Sequence, residues 1–192
     1  MNSSDNLPPV YQTLAGTAMA HPDGTAIIDR YGEMTYNELW RSTEDLKRQL
    51  LRAGVLPGLG VATIFRNDRH FAMGLYAAIG CGAVAMPLFD QLTPAEIEQA
   101  VTEANIHFVL TDMPEMSVFG TIETDVTVEG HPYYLAATAR DHDLPVVDWV
   151  DEPAVMAVHF GHHRRREVRA TVAQDCYGAH GGSLRRFAHY CL

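Results

Sequence analysis

Positive charge is what this chain has little of. Fourteen Lys and Arg stand against 24 Asp and Glu, a formal net charge of −10. A chain of that sign repels phosphate backbones and anionic lipid, so no nucleic-acid and no membrane partner is expected for the whole. Cysteine is scarce, with three in 192 residues. The opening MNSSDNLPPV lacks both the basic segment and the apolar run of an export signal. Reduced thiols and a cytoplasmic location are therefore expected. Internal repeats and low-complexity tracts are missing too. Long apolar runs are limited to Phe71–Phe89, 19 residues without a charge. That length could span a bilayer. Gly74, Gly80, Gly82 and Pro87 punctuate it, so a buried helix followed by a buried strand fits better.

The remaining composition suits one soluble domain, or a piece of a larger one. Apolar residues make up 47% of the chain and charged residues 20%. Thr25–Asp29 is a β-branched apolar run closed by Tyr31-Gly32, and Met34–Tyr36 could pair back on it as a hairpin. Asn37 is placed to cap a helix from Glu38 to about Ala53, with Leu39, Leu46, Leu50 and Ala53 at helical spacing. Gly54 follows where a left-handed residue ends a helix. Gly60–Phe65 reads as a buried strand. Asn67 or Asp68 caps a second helix running to about Gly80, and Gly82–Pro87 is the next strand. Thr93-Pro-Ala-Glu96 opens a third helix, with Pro at its first position and a capping box. Ile106–Thr111 is a further strand. Residues 60–111 thus read β-α-β-α-β, which implies a parallel sheet covered on both faces. Beyond Asp112 the pattern weakens: Asp125–Val128 and Leu144–Asp148 are short strand-like pieces, and nothing after Val158 has a clean period.

Three runs carry a family likeness: Gly60-Val-Ala-Thr-Ile-Phe-Arg-Asn67, then Phe71 to Leu88 with its Gly82-Ala-Val-Ala-Met-Pro-Leu88, then Leu92-Thr-Pro-Ala-Glu-Ile97. With His21-Pro-Asp-Gly-Thr-Ala26 and Met34-Thr-Tyr-Asn-Glu-Leu39 upstream, they resemble the N-terminal part of adenylate-forming acyl-CoA synthetases over roughly residues 8–157. Leu59, where an acid is usual, and Arg66, where proline is common, depart from the pattern. The resemblance implies an incomplete α/β fold, a βαβαβ parallel-sheet N-terminal subdomain. It implies a ligase that turns an acid, ATP and CoA into acyl-CoA, AMP and pyrophosphate. ATP, Mg²⁺, CoA and small-molecule substrates belong to the intact family member. The resemblance also implies a phosphate loop reading T-S-G-T-T-G-x-x-K just after a D-x-P-A segment.

Asp151-Glu-Pro-Ala154 is such a segment, yet the loop position holds Val158-His-Phe-Gly-His-His-Arg-Arg-Arg-Glu-Val168. A phosphate cradle needs glycines, so that backbone N–H groups reach the anion, and hydroxyls as extra donors. Bulky histidines and arginines cannot imitate it. His159 to Val168 can be encoded CAC TTC GGG CAC CAC CGG CGC CGC GAA GTG. Read one base later, this gives T-S-G-T-T-G-A-A-K. Third positions are free, but GAR followed by G always gives Lys or Arg in that frame. The expectation is one extra base near codon 157 or 158. Residues 158–192 are then a basic, His- and Arg-rich out-of-frame tail with no fold of its own. Charge agrees: residues 1–157 carry a net −14 and the rest +4.

Other chemistry is weighed against this. His159-x-x-His162 and Cys176-x-x-x-His180 could hold tetrahedral Zn²⁺, or be chance in a His-rich stretch. Arg164–Arg166 and Arg169 could meet nucleic acid, but a solvated charge run explains them. Cys81 sits in an apolar run as a small hydrophobe, without a partner for nucleophilic work. His21, His70 and His107 are expected at helix surfaces or strand edges. Asp90 and Glu96 could line a cleft, though capping explains Glu96. No catalytic, cofactor-binding or metal-ligating residue is assigned. The alternative function is a non-catalytic interaction module, or a metal-binding regulator using the tail.

Overall fold

The computed structural model describes residues 8–114, 121–138, 155–160 and 168–173. Helix α1 (Pro9–Ala20) starts on Pro9, whose missing N–H costs nothing in a first turn. Strands β1 (Thr25–Asp29) and β2 (Gly32–Thr35) form a separate antiparallel hairpin, with Gly32 at φ +100° where the chain turns. Helix α2 (Tyr36–Arg52) begins one residue before the Asn37 expected to cap it. Thr35 is the cap instead: its Oγ1 accepts from the Glu38 N–H at 3.2 Å, and its own N–H donates to Glu38 Oε2 at 2.7 Å. The helix ends as expected before Gly54, at φ +92°.

Strand β3 (Gly60–Phe65), helix α3 (Arg69–Gly80), strand β4 (Val84–Phe89), helix α4 (Pro94–Glu103) and strand β5 (Phe108–Thr111) come next. This is the β-α-β-α-β succession read from the sequence. β3 pairs in parallel with β4, Val61 facing Ala85, and with β5, Ala62 facing Val109. Phe71–Phe89 is divided between α3 and β4, and no helix among the described residues is long and apolar enough to cross a membrane.

Side chains alternate along the strands, so the sheet sorts them into two cores. Val61, Phe65, Ala85, Phe108 and Leu110 pack under α1, α2 and α3. Ala62, Ile64, Val84, Met86 and Val109 pack under α4 through Ile97, Ala100 and Val101.

Past Asp112 the sheet turns mixed. Strands β6 (Thr121–Val128) and β7 (His131–Ala137) form a hairpin, and β7 runs antiparallel to β5. On the other side, β8 (Val155–Phe160) lies parallel to β4 and pairs antiparallel with β9 (Val168–Ala173). The full order is β6-β7-β5-β3-β4-β8-β9. Where the sequence has no clean period after Val158, β8 runs through that residue, and β9 pairs with it from Val155↔Ala173 to Phe160↔Val168. The strand expected at Leu144–Asp148 lies outside the described residues.

Candidate functional site

In an open α/β sheet, ligands bind outside the carboxyl ends of the parallel strands. Here that edge gathers side chains from four elements. β3 ends at Phe65, and Asp68 caps α3, its Oδ1 accepting from the His70 N–H at 3.0 Å. His70 is therefore fixed in the first turn of α3. β5 ends at Thr111, which puts Asp112 at the same edge. His131 opens β7 alongside. The β1–β2 turn closes the group: Tyr31 sets its ring edge-on to His70 at 5.3 Å, and Arg30 pairs with Asp68 at 2.7 Å.

His70 and His131 stack with ring centroids 3.7 Å apart and planes 13° from parallel. His70 Nδ1 lies 2.7 Å from the Tyr133 hydroxyl, and His131 Nε2 lies 3.2 Å from Asp112 Oδ2. Burial, and then the neighbouring His131, hold the His70 imidazole below its ordinary pKa, against the opposing pull of Asp68 and Asp112. Burial likewise raises the Tyr133 phenol. The second carboxylate oxygen of Asp112, Oδ1, is buried without a hydrogen-bond partner. One nitrogen or oxygen from each of His70, Asp112 and His131 falls within 4.8 Å of the others.

The histidines expected at surfaces and edges divide. His21 is exposed at the end of α1. His70 is buried, and so is His107, whose Nδ1 accepts from the Gly60 N–H at 3.1 Å. Both corrections have one cause: each ring finds a polar partner inside the fold, which removes the cost of burying it. Cys81 is buried at the end of α3, and burial pushes its thiol pKa up to about 12, which suits a small hydrophobe. Glu96 is held by the Thr93 cap, and Asp90 is half-buried after β4. His162, Arg164–Arg166, Cys176 and His180 lie outside the described residues. His159 and Arg169 face one another across the β8–β9 ladder by backbone register. Sequence reading missed the grouping of His70, Asp112 and His131.

Residues 14–169 match the family model for AMP-binding enzymes. The chain belongs to the AMP-binding enzyme family. It is 24% identical over 164 residues to human mitochondrial malonate–CoA ligase, covering 80% of this chain and 28% of that protein. It is 27% identical over 117 residues to a nonribosomal peptide synthetase of Lecanicillium, covering 61% of this chain and 1% of that one. The chain thus spans less than a third of the length of these relatives. Among solved structures, the N-terminal domain of FACL13 from Mycobacterium tuberculosis superposes with a TM-score of 0.64 at 19% identity, covering 85% of this chain and 44% of that one. The Klebsiella oxytoca NpsA N-terminal subdomain bound to 3-hydroxyanthranilyl-AMSN gives 0.63 at 17%, covering 85% and 39%. The fold is accordingly part of the N-terminal subdomain of adenylate-forming enzymes.

An AMP-binding enzyme must hold nucleotide phosphates. The stretch joining β8 to β9, Gly161-His-His-Arg-Arg-Arg-Glu167, has one glycine and no hydroxyl. That donor set does not fit a backbone phosphate cradle.

Proposed function

We propose that the reading frame behind this chain belongs to an ATP-dependent carboxylate–CoA ligase, and that the chain as translated is catalytically silent. Family membership and the likeness to the human malonate–CoA ligase support the ligase part. The relatives also include peptide synthetases, so CoA as the accepting thiol is part of the proposal. The observation that carries the second part is the composition of residues 158–168. There His and Arg replace the glycines and hydroxyls that would cradle phosphate, and the neighbouring frame can encode T-S-G-T-T-G-A-A-K in the same place. Sequencing the DNA across codons 150–170 tests it directly. An open neighbouring frame running on beyond this region is expected, and early stops in it would sink the proposal. The chain itself should give no ATP–pyrophosphate exchange with any carboxylate, whereas the frame-restored protein should.

A second reading has its own support. β8 passes through Val158 without a break, β9 pairs with it, and the family match continues to residue 169. On that reading residues 158–192 are genuine coding sequence, and the chain is a non-catalytic interaction module. A closed neighbouring frame, together with a discrete complex by light scattering, would favour it.

A further inference from the structure

We propose that His70, Asp112 and His131 form a binding site for a divalent transition metal of the zinc class at the carboxyl edge of the sheet. The donor set comes first. Two imidazoles and one carboxylate suit zinc and its first-row neighbours, whereas calcium and magnesium take oxygen ligands. Three protein ligands leave a fourth position for water or a ligand, the arrangement of an open zinc site.

Spacing comes second. A tetrahedral ion with bonds of about 2.0–2.1 Å needs ligand atoms roughly 3.3 Å apart. His131 Nε2 and Asp112 Oδ2 already stand 3.2 Å apart, and a donor atom from each of the three residues falls inside 4.8 Å. An ion would enter between His131 Nε2 and Asp112 Oδ2 with a rotation of the His131 ring while Asp112 stays in place. The two rings now lie parallel, so their in-plane lone pairs run side by side. His131 has a side chain 31% exposed at the start of β7, and it is the ring that turns to close on the ion.

Support around the ligands comes third. The Tyr133 hydroxyl lies 2.7 Å from His70 Nδ1 and so orients the ring from behind. A metal-bound His70 would ligate through Nε2 and donate its Nδ1–H to the Tyr133 oxygen, the outer support that metal-bound histidines require. Asp112 adds the observation that points to a ligand. Its side chain is 6% exposed, yet Oδ1 has no partner. A buried carboxylate oxygen left unpaired is costly, and a cation beside it removes the cost. The site lies wholly in residues 70–133, so it does not depend on the reading frame of the tail.

The test uses the full chain and Co²⁺ as the probe, then dialysis against Zn²⁺ and metal analysis. The expected result is one equivalent bound, with visible d–d bands and no thiolate-to-metal charge transfer. His131→Gln and Asp112→Asn should each weaken binding at least tenfold, and Tyr133→Phe on the order of tenfold through the lost support of His70. His131→Gln changes a partly exposed side chain, so it remains interpretable if Asp112→Asn fails to fold. No bound metal overturns the proposal. So does binding that both variants leave unchanged, with or without charge transfer, because the ion then sits on histidines or cysteines elsewhere in the chain.

Discussion

Arg69 ties the β1–β2 hairpin to the start of α3 with a single side chain. Its Nη2 donates to Asp29 Oδ1 at 2.7 Å and to the Gly32 carbonyl at 2.8 Å, while Nε and the backbone N–H both reach Asp29 Oδ2 at 2.9 Å. Asp29 is nearly buried, with 7% of its side chain exposed. Removing one partner leaves the other desolvated, so Arg69→Met should cost about 2 kcal/mol in urea unfolding. The pH dependence has a definite sign. The Arg69 hydrogen bonds hold the Asp29 carboxyl below its ordinary value of 3.8, to which the unfolded chain returns it. Between the two values the unfolded state binds the extra proton. The contribution is therefore complete above about 3.8 and is lost as pH falls through the folded value. The stability gap between the native chain and Asp29→Asn should narrow on acidification; a gap that stays constant would remove the pair from the account. Cys81 makes the other residue-scale prediction. Its thiol, raised to about 12, should resist iodoacetamide in the folded protein and react after denaturation, as read by peptide mass mapping.

At the scale of elements, the sequence announced its helix starts by mechanism rather than by propensity. Thr93-Pro-Ala-Glu96 forms the capping box it spells, with Glu96 N–H donating to Thr93 Oγ1 at 3.3 Å and Thr93 N–H donating to Glu96 Oε2 at 3.0 Å. Thr93→Ala should cost about 1 kcal/mol, measured by thermal or urea unfolding. The same box at Thr35 and Glu38 was equally legible in Thr35-Tyr-Asn-Glu38, but Asn37 competes for the role on residue type alone. α1 was harder to see. Its buried Tyr11, Leu14 and Ala18 are separated by Gly and Thr, which are weak helix formers, and tertiary packing holds it. That packing is close: a Cβ on Gly80 would stand 2.5 Å from the Tyr11 ring. Gly80→Ala should therefore destabilise by about 1–3 kcal/mol, with Gly16→Ala, where nothing lies within 4 Å, as the mild control. The His70, Asp112 and His131 grouping was not legible. His131 is 19 residues from Asp112, and His70 is 63 from Tyr133, so only strand order brings them together.

For the whole molecule, the continuous apolar runs were the feature the sequence expressed best. Gly60–Phe65 is buried at every position, which is why it sits at the centre of the sheet with a parallel neighbour on each side. The antiparallel additions were less readable, because β7, His131-Pro-Tyr-Tyr-Leu-Ala-Ala137, has no clean period of two, and it takes its place against β5 through long-range pairing. This layout predicts a gradient of local stability. Amides of β3 are sealed between two strands and two helix layers and should open only with the whole domain. The β1–β2 hairpin has two strands, exposes Thr25, Ile28, Gly32 and Glu33, and is fastened by Arg69 and the start of α2. It should open locally and exchange first. Native-state hydrogen exchange read by mass spectrometry is the check. Arg69→Met should speed exchange in residues 25–35 and leave β3 unchanged. Equal acceleration of both would mean that the hairpin is an integral part of the cooperative core, and that the parallel sheet does not hold its stability without it.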